Sequence, residues 1–311
     1  MRQKRGSLFY QFSEALSHNF KEGTKKHSYK IEKGRSQGKK FFSYSDYYQT
    51  LELSKSLAGF IRENYPDIKH AYQISNTHIS LFLNTKIGTC NMKSLATYTS
   101  RLNHIARALE ASDPGVREHG GKSWNMPLPK GHTCEQKLRD VWMPPEDRTL
   151  LEDYLAGAQD SAGKRAVVIA LATGLRVHEC VTLTGEGIDV ESFIVQGKGK
   201  GGRHYESAIR PEYIELMSMY KEKYGSSKIA PIKSDSANRY LHRCLDMCGI
   251  DGLYKEHRTG THAIRKNVAQ DLYESERKKG KTHVEAAAIA SRNLSHGKYR
   301  KDVDDNYIKR K

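Results

Sequence analysis

The chain has 311 residues, 37% of them hydrophobic, and 52 Lys and Arg against 36 Asp and Glu, a formal charge of +16. That length suits two domains, and the apolar share excludes a wholly disordered or collagen-like chain. No stretch approaches the roughly 18 apolar residues that span a bilayer, and the basic N-terminus lacks the apolar core and cleavage site of a secretory signal. Five scattered cysteines (Cys90, Cys134, Cys180, Cys244, Cys248) argue against a disulfide framework and for a reducing cytoplasm. Cys244 and Cys248, one helical turn apart, read as buried apolar residues. The excess charge points to a polyanion, with nucleic acid ahead of an acidic membrane surface or an acidic protein.

Residues 1–40 carry eleven Lys or Arg against three acids, with Gly23, Gly34 and Gly38, and read as a basic arm. From 43 to 112 the pattern turns helical. Leu51, Leu53, Leu57, Phe60 and Ile61 form one stripe, Ile79, Leu81 and Phe82 a second, and Leu95, Tyr98, Leu102, Ile105, Ala106 and Leu109 a third. Thr77 and Asn91 are the expected N-caps. These residues form a small helical domain, 41–115. A stretch rich in Gly, Pro and polar residues follows and reads as a linker, 116–139.

The second domain is placed at 140–311. Pro144 and Pro145 open a helix with acids in its first turn. An apolar helix over 166–171 ends at Thr173-Gly174. The one clear hairpin runs from 192–196 through the turn 197–202 to 203–209. Helices are expected over 211–224, 235–248, 262–278 and 283–293, with a last short one near 304–309. The fold class is therefore mainly α with a small antiparallel β-sheet (α+β).

Four segments of this domain hold groups suited to a phosphodiester. In Ala172-Thr173-Gly174-Leu175-Arg176-Val177-His178-Glu179, Arg176 stands at the mouth of a helix with Glu179 one turn on, and a planar guanidinium can grip two phosphate oxygens. Read alone, it is equally a surface arginine paired with Glu179. The hairpin tip Gly197-Lys198-Gly199-Lys200-Gly201-Gly202 offers Lys198 as a general acid or as a plain backbone-phosphate contact, and lacks the Walker pattern. In Thr261-His262-Ala263-Ile264-Arg265 the i, i+3 spacing puts His262 and Arg265 on one helix face. Leu294-Ser295-His296 is followed eleven residues later by Tyr307. Singly, His296 reads as a structural histidine, and in a chain with 18 tyrosines a late Tyr carries no weight.

Their order carries the argument. ATGLRxxE, then GKG on a hairpin, then HxxR, then LxH and a terminal Tyr resembles the catalytic domain of the tyrosine recombinases, or phage-type integrases. The run from Ala290 to Gly297 is similar to integrases of bacterial mobile elements. By motif the resemblance covers roughly 140–309, and it extends loosely to 43–112, where a helical core-binding domain is implied.

The resemblance implies that Arg176 and Arg265 clamp the non-bridging oxygens of the scissile phosphate, with Glu179 supporting the first arginine. Lys198 would protonate the departing 5′ oxygen, His262 would assist as acid–base and donor, and His296 would stabilise the transition state. Tyr307 would be the nucleophile, forming a 3′-phosphotyrosyl link that conserves bond energy, so neither ATP nor another cofactor nor a metal is implied. No HExxH or carboxylate cluster in the sequence suggests a metal either. The implied partners are double-stranded DNA recombination sites, three further copies in a tetramer on paired sites, and accessory DNA-bending or directionality factors. The implied setting is the nucleoid of a bacterium, or a phage or other mobile element. Only four residues follow Tyr307, leaving little chain for exchange between subunits. The competing readings are a catalytically silent DNA-binding regulator or architectural protein of the same fold, and topoisomerase-like relaxation or hairpin-end resolution.

Overall fold

The computed structural model describes residues 6–24, 26–34, 40–121, 124, 140–199, 202, 204–295 and 301–309, without the side chains of 26, 27 and 301–303. It divides into two compact units, residues 1–136 and 137–311. The division falls at the end of the stretch read as a linker, most of which lies outside the described residues. The architecture is mainly α with one small antiparallel sheet, and among the described residues no helix is long and apolar enough to cross a membrane.

The first unit contains α1 (Leu8–His18), α2 (Lys26–Lys33), α3 (Tyr44–Asn64), α4 (Asn76–Asn84), α5 (Met92–Ser112) and α6 (Pro114–Glu118). The three expected stripes meet in its core, where Leu57, Ile61, Ile79, Phe82, Leu102, Ile105 and Leu109 are fully buried. Asn91 caps α5 by accepting from the Ser94 N–H at 2.9 Å. The cap of α4 is Ser75 rather than Thr77, because the His78 ring reaches back to the Ser75 backbone at 3.0 Å.

The basic segment 1–40 differs from its reading as an arm. Leu8, Phe12, Ala15 and Leu16 recur at helical spacing, and α1 buries all four in the core of the first unit. Phe12 meets Trp124 edge-on at 6.4 Å. Gln11, also buried, accepts from the Ala71 N–H and donates to the Lys69 carbonyl, both at 2.9 Å. A buried amide with its hydrogen bonds met at both ends sets where the helix lies. Phe41 returns the chain to the same core, exchanging backbone hydrogen bonds with Asn19 and Lys21.

The second unit is built around α8 (Ala162–Thr173), in which every residue from Ala166 to Thr173 is buried. A helix apolar all round belongs at the centre of its domain. Around it stand α7 (Pro145–Gly157), α9 (Val177–Thr182), α10 (Ile214–Tyr224), α11 (Ser234–Met247), α12 (Asp251–Glu256), α13 (Thr261–Lys278), α14 (His283–Asn293) and α15 (Lys301–Tyr307). The sheet is β1 (Ile188–Asp189), β2 (Ile194–Lys198) and β3 (His204–Ala208) in that order, all antiparallel. The hairpin pairs Ile194 with Ala208 and Lys198 with His204. Gly197 is required there, since a Cβ would stand 2.6 Å from the Tyr205 hydroxyl that covers it. Ser207 then ties β3 to the end of α8 by donating to the Thr173 carbonyl at 2.7 Å. Cys244 is buried as expected, whereas Cys248 is partly exposed.

Because α1 is part of a core, shortening Phe12 is expected to destabilise the first unit by about 3–5 kcal/mol. Urea unfolding of Phe12→Ala, followed through Trp124 fluorescence in a Trp142→Phe background, measures this. Lys21→Ala on the same segment should stay within about 0.5 kcal/mol of the parent.

Candidate active site

The site begins where α8 stops. Thr173 turns its hydroxyl back to the Ile169 carbonyl at 2.6 Å and accepts from the Leu175 N–H at 3.2 Å. Gly174 then adopts φ +67°, the left-handed value that lets a helix end without Cβ strain. A side chain there would also stand 2.9 Å from Val268 of α13, so the glycine lets the two helices close. Buried Leu175 anchors the turn, and Arg176 follows as the N-cap of α9.

Glu179 holds Arg176 at both ends. One carboxylate oxygen accepts from the Arg176 backbone N–H at 2.9 Å and the other from its guanidinium at 2.9 Å. The glutamate is buried while the arginine side chain is 40% exposed. Arg265, from the first turns of α13, is only 2% exposed. Its guanidinium donates to the carbonyls of Gly174, at 2.6 Å, and Leu294, and the Tyr307 phenol lines the same cleft. Burial, and then the neighbouring Arg176, push its pKa below the usual arginine range, against the opposing pull of Tyr307 and Glu179. Two guanidiniums around one carboxylate leave one positive charge in a mostly enclosed place, which suits an anion.

Tyr307 ends α15, and several groups hold that helix. Asp304 is buried and pairs with His283 Nε2 at 3.0 Å, while the other nitrogen of that ring meets the Tyr273 hydroxyl at 2.9 Å. Trp142 donates its indole N–H to the Tyr307 carbonyl at 3.1 Å, and Lys266 and Lys309 lie over its ring at 3.9 and 4.6 Å. Burial lowers the Lys266 pKa, opposed by Asp140 at 3.3 Å. Gln270 exchanges two hydrogen bonds with the Lys309 backbone, and Ile308 is buried with Ala269, Ala290 and Leu294. The His262 ring stands edge-on to Tyr307 at 5.3 Å.

Arg176, His262, Arg265 and Tyr307 thus line one cleft of about 450 Å³, with Glu179 beneath the first of them. Lys198 is exposed at the end of β2 and does not line it, and Lys200 at the hairpin tip lies outside the described residues, as do His296 and Tyr299. The sequence reading assigned no role to several other groups on the wall: His178, Asn238, His242, Arg258, Thr259 and Thr261. The Arg258-Thr259 pair just before the HxxR segment was the available signal.

Comparison with solved structures gives the same architecture. The XerH site-specific recombinase bound to its difH substrate in a pre-cleavage complex aligns with 100% of this chain and 95% of its own, at 13% identity and TM-score 0.65. The chain has the tyrosine-recombinase fold. A lambda integrase tetramer bound to a Holliday junction aligns with 96% of this chain and 83% of its own, at 17% identity and TM-score 0.57. The Tn1549 transposon integrase in complex with transposon right-end DNA aligns with 98% and 96%, at 11% identity and TM-score 0.56. No protein-family model and no curated protein sequence matches.

Because buried Asp304 is held by the His283 ring, itself 32% exposed, Asp304→Ala should leave the imidazole without its acceptor and loosen α15. Losing such a contact costs about 1–3 kcal/mol. Trypsin should then cut at Lys301 and Lys309 faster by roughly tenfold or more, with the far-ultraviolet circular dichroism of the rest of the protein unchanged.

Proposed function

We propose that this protein is a tyrosine-type site-specific DNA recombinase that cleaves and rejoins double-stranded DNA through a 3′-phosphotyrosyl intermediate, integrating or excising a mobile genetic element. One observation carries the reading. Two arginines, a histidine and a tyrosine from distant segments line a single cleft.

The chemistry follows from the geometry. A phenol has a usual pKa of roughly 10, so it attacks near neutrality only where cations stabilise the developing phenolate. Arg265 supplies that contact and, with Arg176, holds the non-bridging oxygens as negative charge builds on them. Attack forms the Tyr307 Oη–phosphorus bond and breaks the phosphorus–O5′ bond. The phenolic proton is lost and one proton is delivered to the departing 5′ oxygen, so the step is balanced without an energy source. His262, beside the phenol, is the acid–base group within the cleft. Lys198 and His296 keep the roles the resemblance implies, as leaving-group acid and transition-state donor. In reverse, the 5′ hydroxyl of a second strand attacks the phosphotyrosine and releases the enzyme. Residues 41–115 would grip the duplex as a core-binding domain, 140–311 would form the catalytic domain, and four subunits would assemble on paired sites. The +16 charge supports binding to the DNA backbone. Action on nucleoid DNA in the cytoplasm of a bacterium, with accessory bending or directionality factors, completes the reading.

The test is capture of the covalent adduct. The full-length protein is incubated with its native genomic DNA, and protein-bound fragments are recovered under denaturing conditions and sequenced. Adduct should form with wild type and disappear in Tyr307→Phe, and Arg176→Ala or Arg265→Ala should slow it by about 10²–10³. Adduct peptides that map to Tyr299 would move the nucleophile. A wild-type protein that binds supercoiled plasmid yet never nicks it would support the silent DNA-binding regulator instead.

A further inference from the structure

The cleft holds donors that this chemistry does not use. They come from α11 and from the segment 258–261 that leads into α13. The first is His242. Its Nδ1 lies 2.6 Å from an oxygen of Asp251, and that carboxylate is 3% exposed. A carboxylate can only accept here, so Nδ1 carries a proton and Nε2 is left for the cleft. Nε2 points toward Gly260 on the cleft wall, 3.7 Å from where a Cβ would stand. Lys255 occupies the other Asp251 oxygen at 2.8 Å, so the carboxylate is committed from both sides.

The second is Thr259. It is 2% exposed, lines the cleft, and its hydroxyl has no hydrogen-bond partner among the described residues. Buried hydroxyls are nearly always paired, so this one calls for a ligand oxygen. The third is the N-terminus of the 18-residue helix α13, where the helix dipole favours an anion. Asn238 accepts from the N–H and hydroxyl of Thr261, and a Cβ at Gly260 would stand 2.8 Å from the same Asn238 oxygen, so this backbone is pressed onto α11. Arg258, exposed at the rim, sits at φ +46°, a strained value for a residue other than glycine.

We propose that His242, Thr259 and the first turn of α13 form a second phosphate site within the cleft, which holds the DNA backbone phosphate next to the one gripped by Arg176 and Arg265. It rests on reading the cleft as a DNA phosphodiester site. With Nδ1 on the Asp251 carboxylate, Nε2 is the ring nitrogen left to meet the phosphate, as a donor when both nitrogens carry a proton. Asp251 of α12 holds the ring from behind, its other oxygen paired with Lys255, and the cleft wall also carries Arg258, His262, Arg176 and His178. His242 is a binding and positioning group here, distinct from the residues that touch the reacting atoms.

The experiment measures binding without cleavage. Full-length Tyr307→Phe is titrated against a fluorescein-labelled mixed-sequence duplex over a range of KCl. Adding His242→Gln should flatten the log–log salt slope of this parent by about 0.9, one phosphate contact, and weaken binding roughly tenfold. Thr259→Val should weaken binding and keep the parent's slope. A His242→Gln protein with the parent's slope overturns the second site. If Arg176→Ala with Arg265→Ala also leaves the slope unchanged, the cleft does not contact DNA and the parent reading fails with it.

Discussion

The structure of the second unit turns on a guanidinium that has no access to water. Arg265 is almost wholly buried, and an uncompensated charge in such a place costs several kcal/mol. It donates to the Gly174 and Leu294 carbonyls, and the Tyr307 phenol shares its cleft. The two carbonyls belong to segments far apart in the chain, the end of α8 and the end of α14. Both must arrive for the arginine to be satisfied, so one side chain makes the assembly of the cleft and the folding of the unit the same event. Gly174 is part of this arrangement twice, since its carbonyl accepts from Arg265 and its missing Cβ lets Val268 approach.

The same arrangement leaves the cleft short of negative charge. Glu179 is committed to Arg176, and the carbonyls that Arg265 meets are neutral dipoles. A site of this charge suits an anion, the design expected where charge develops in a transition state. Because the donors are fixed by backbone carbonyls and a buried carboxylate, little reorganisation is needed when an anion enters. Tyr307 reaches this field on a helix secured within its own chain. The Tyr273–His283–Asp304 chain, the Trp142 indole and the Gln270 amide each grip a different point of it. The phenol is thereby held by the scaffold of the subunit that carries the arginines.

In the first unit, charge and core share one stretch of sequence. The helix α1 buries one face in the core, Gln11 stitches it to 69–71, and the described cations of 1–40 (Lys21, Lys30, Lys33 and Lys40) follow it in the chain.

Much of the second unit was legible in the residues alone. The i, i+3 spacing of His262 and Arg265, the Thr-Gly stop before Arg176 and the Gly-rich hairpin are local patterns, and anion chemistry restricts which residue types can serve. The bounds 283–293 came out as read because Thr282 and Glu285 cap α14 reciprocally, a signal contained within four residues. What the residues did not disclose has one common feature: the partners are remote in sequence. The apolar face of α1 is a local repeat, Leu8, Phe12, Ala15 and Leu16, but the core that receives it comes from α3, α4 and α5. Asp251 gives His242 its orientation, His283 gives Asp304 its partner, and neither pair lies within a helical repeat. Periodicity reports which face of an element is apolar and which residues share that face. Which faces meet is set by the packing of whole elements, so the cleft's second set of donors and the clamps on α15 exist only once α11, α12, α13, α14 and the C-terminal segment have been brought together.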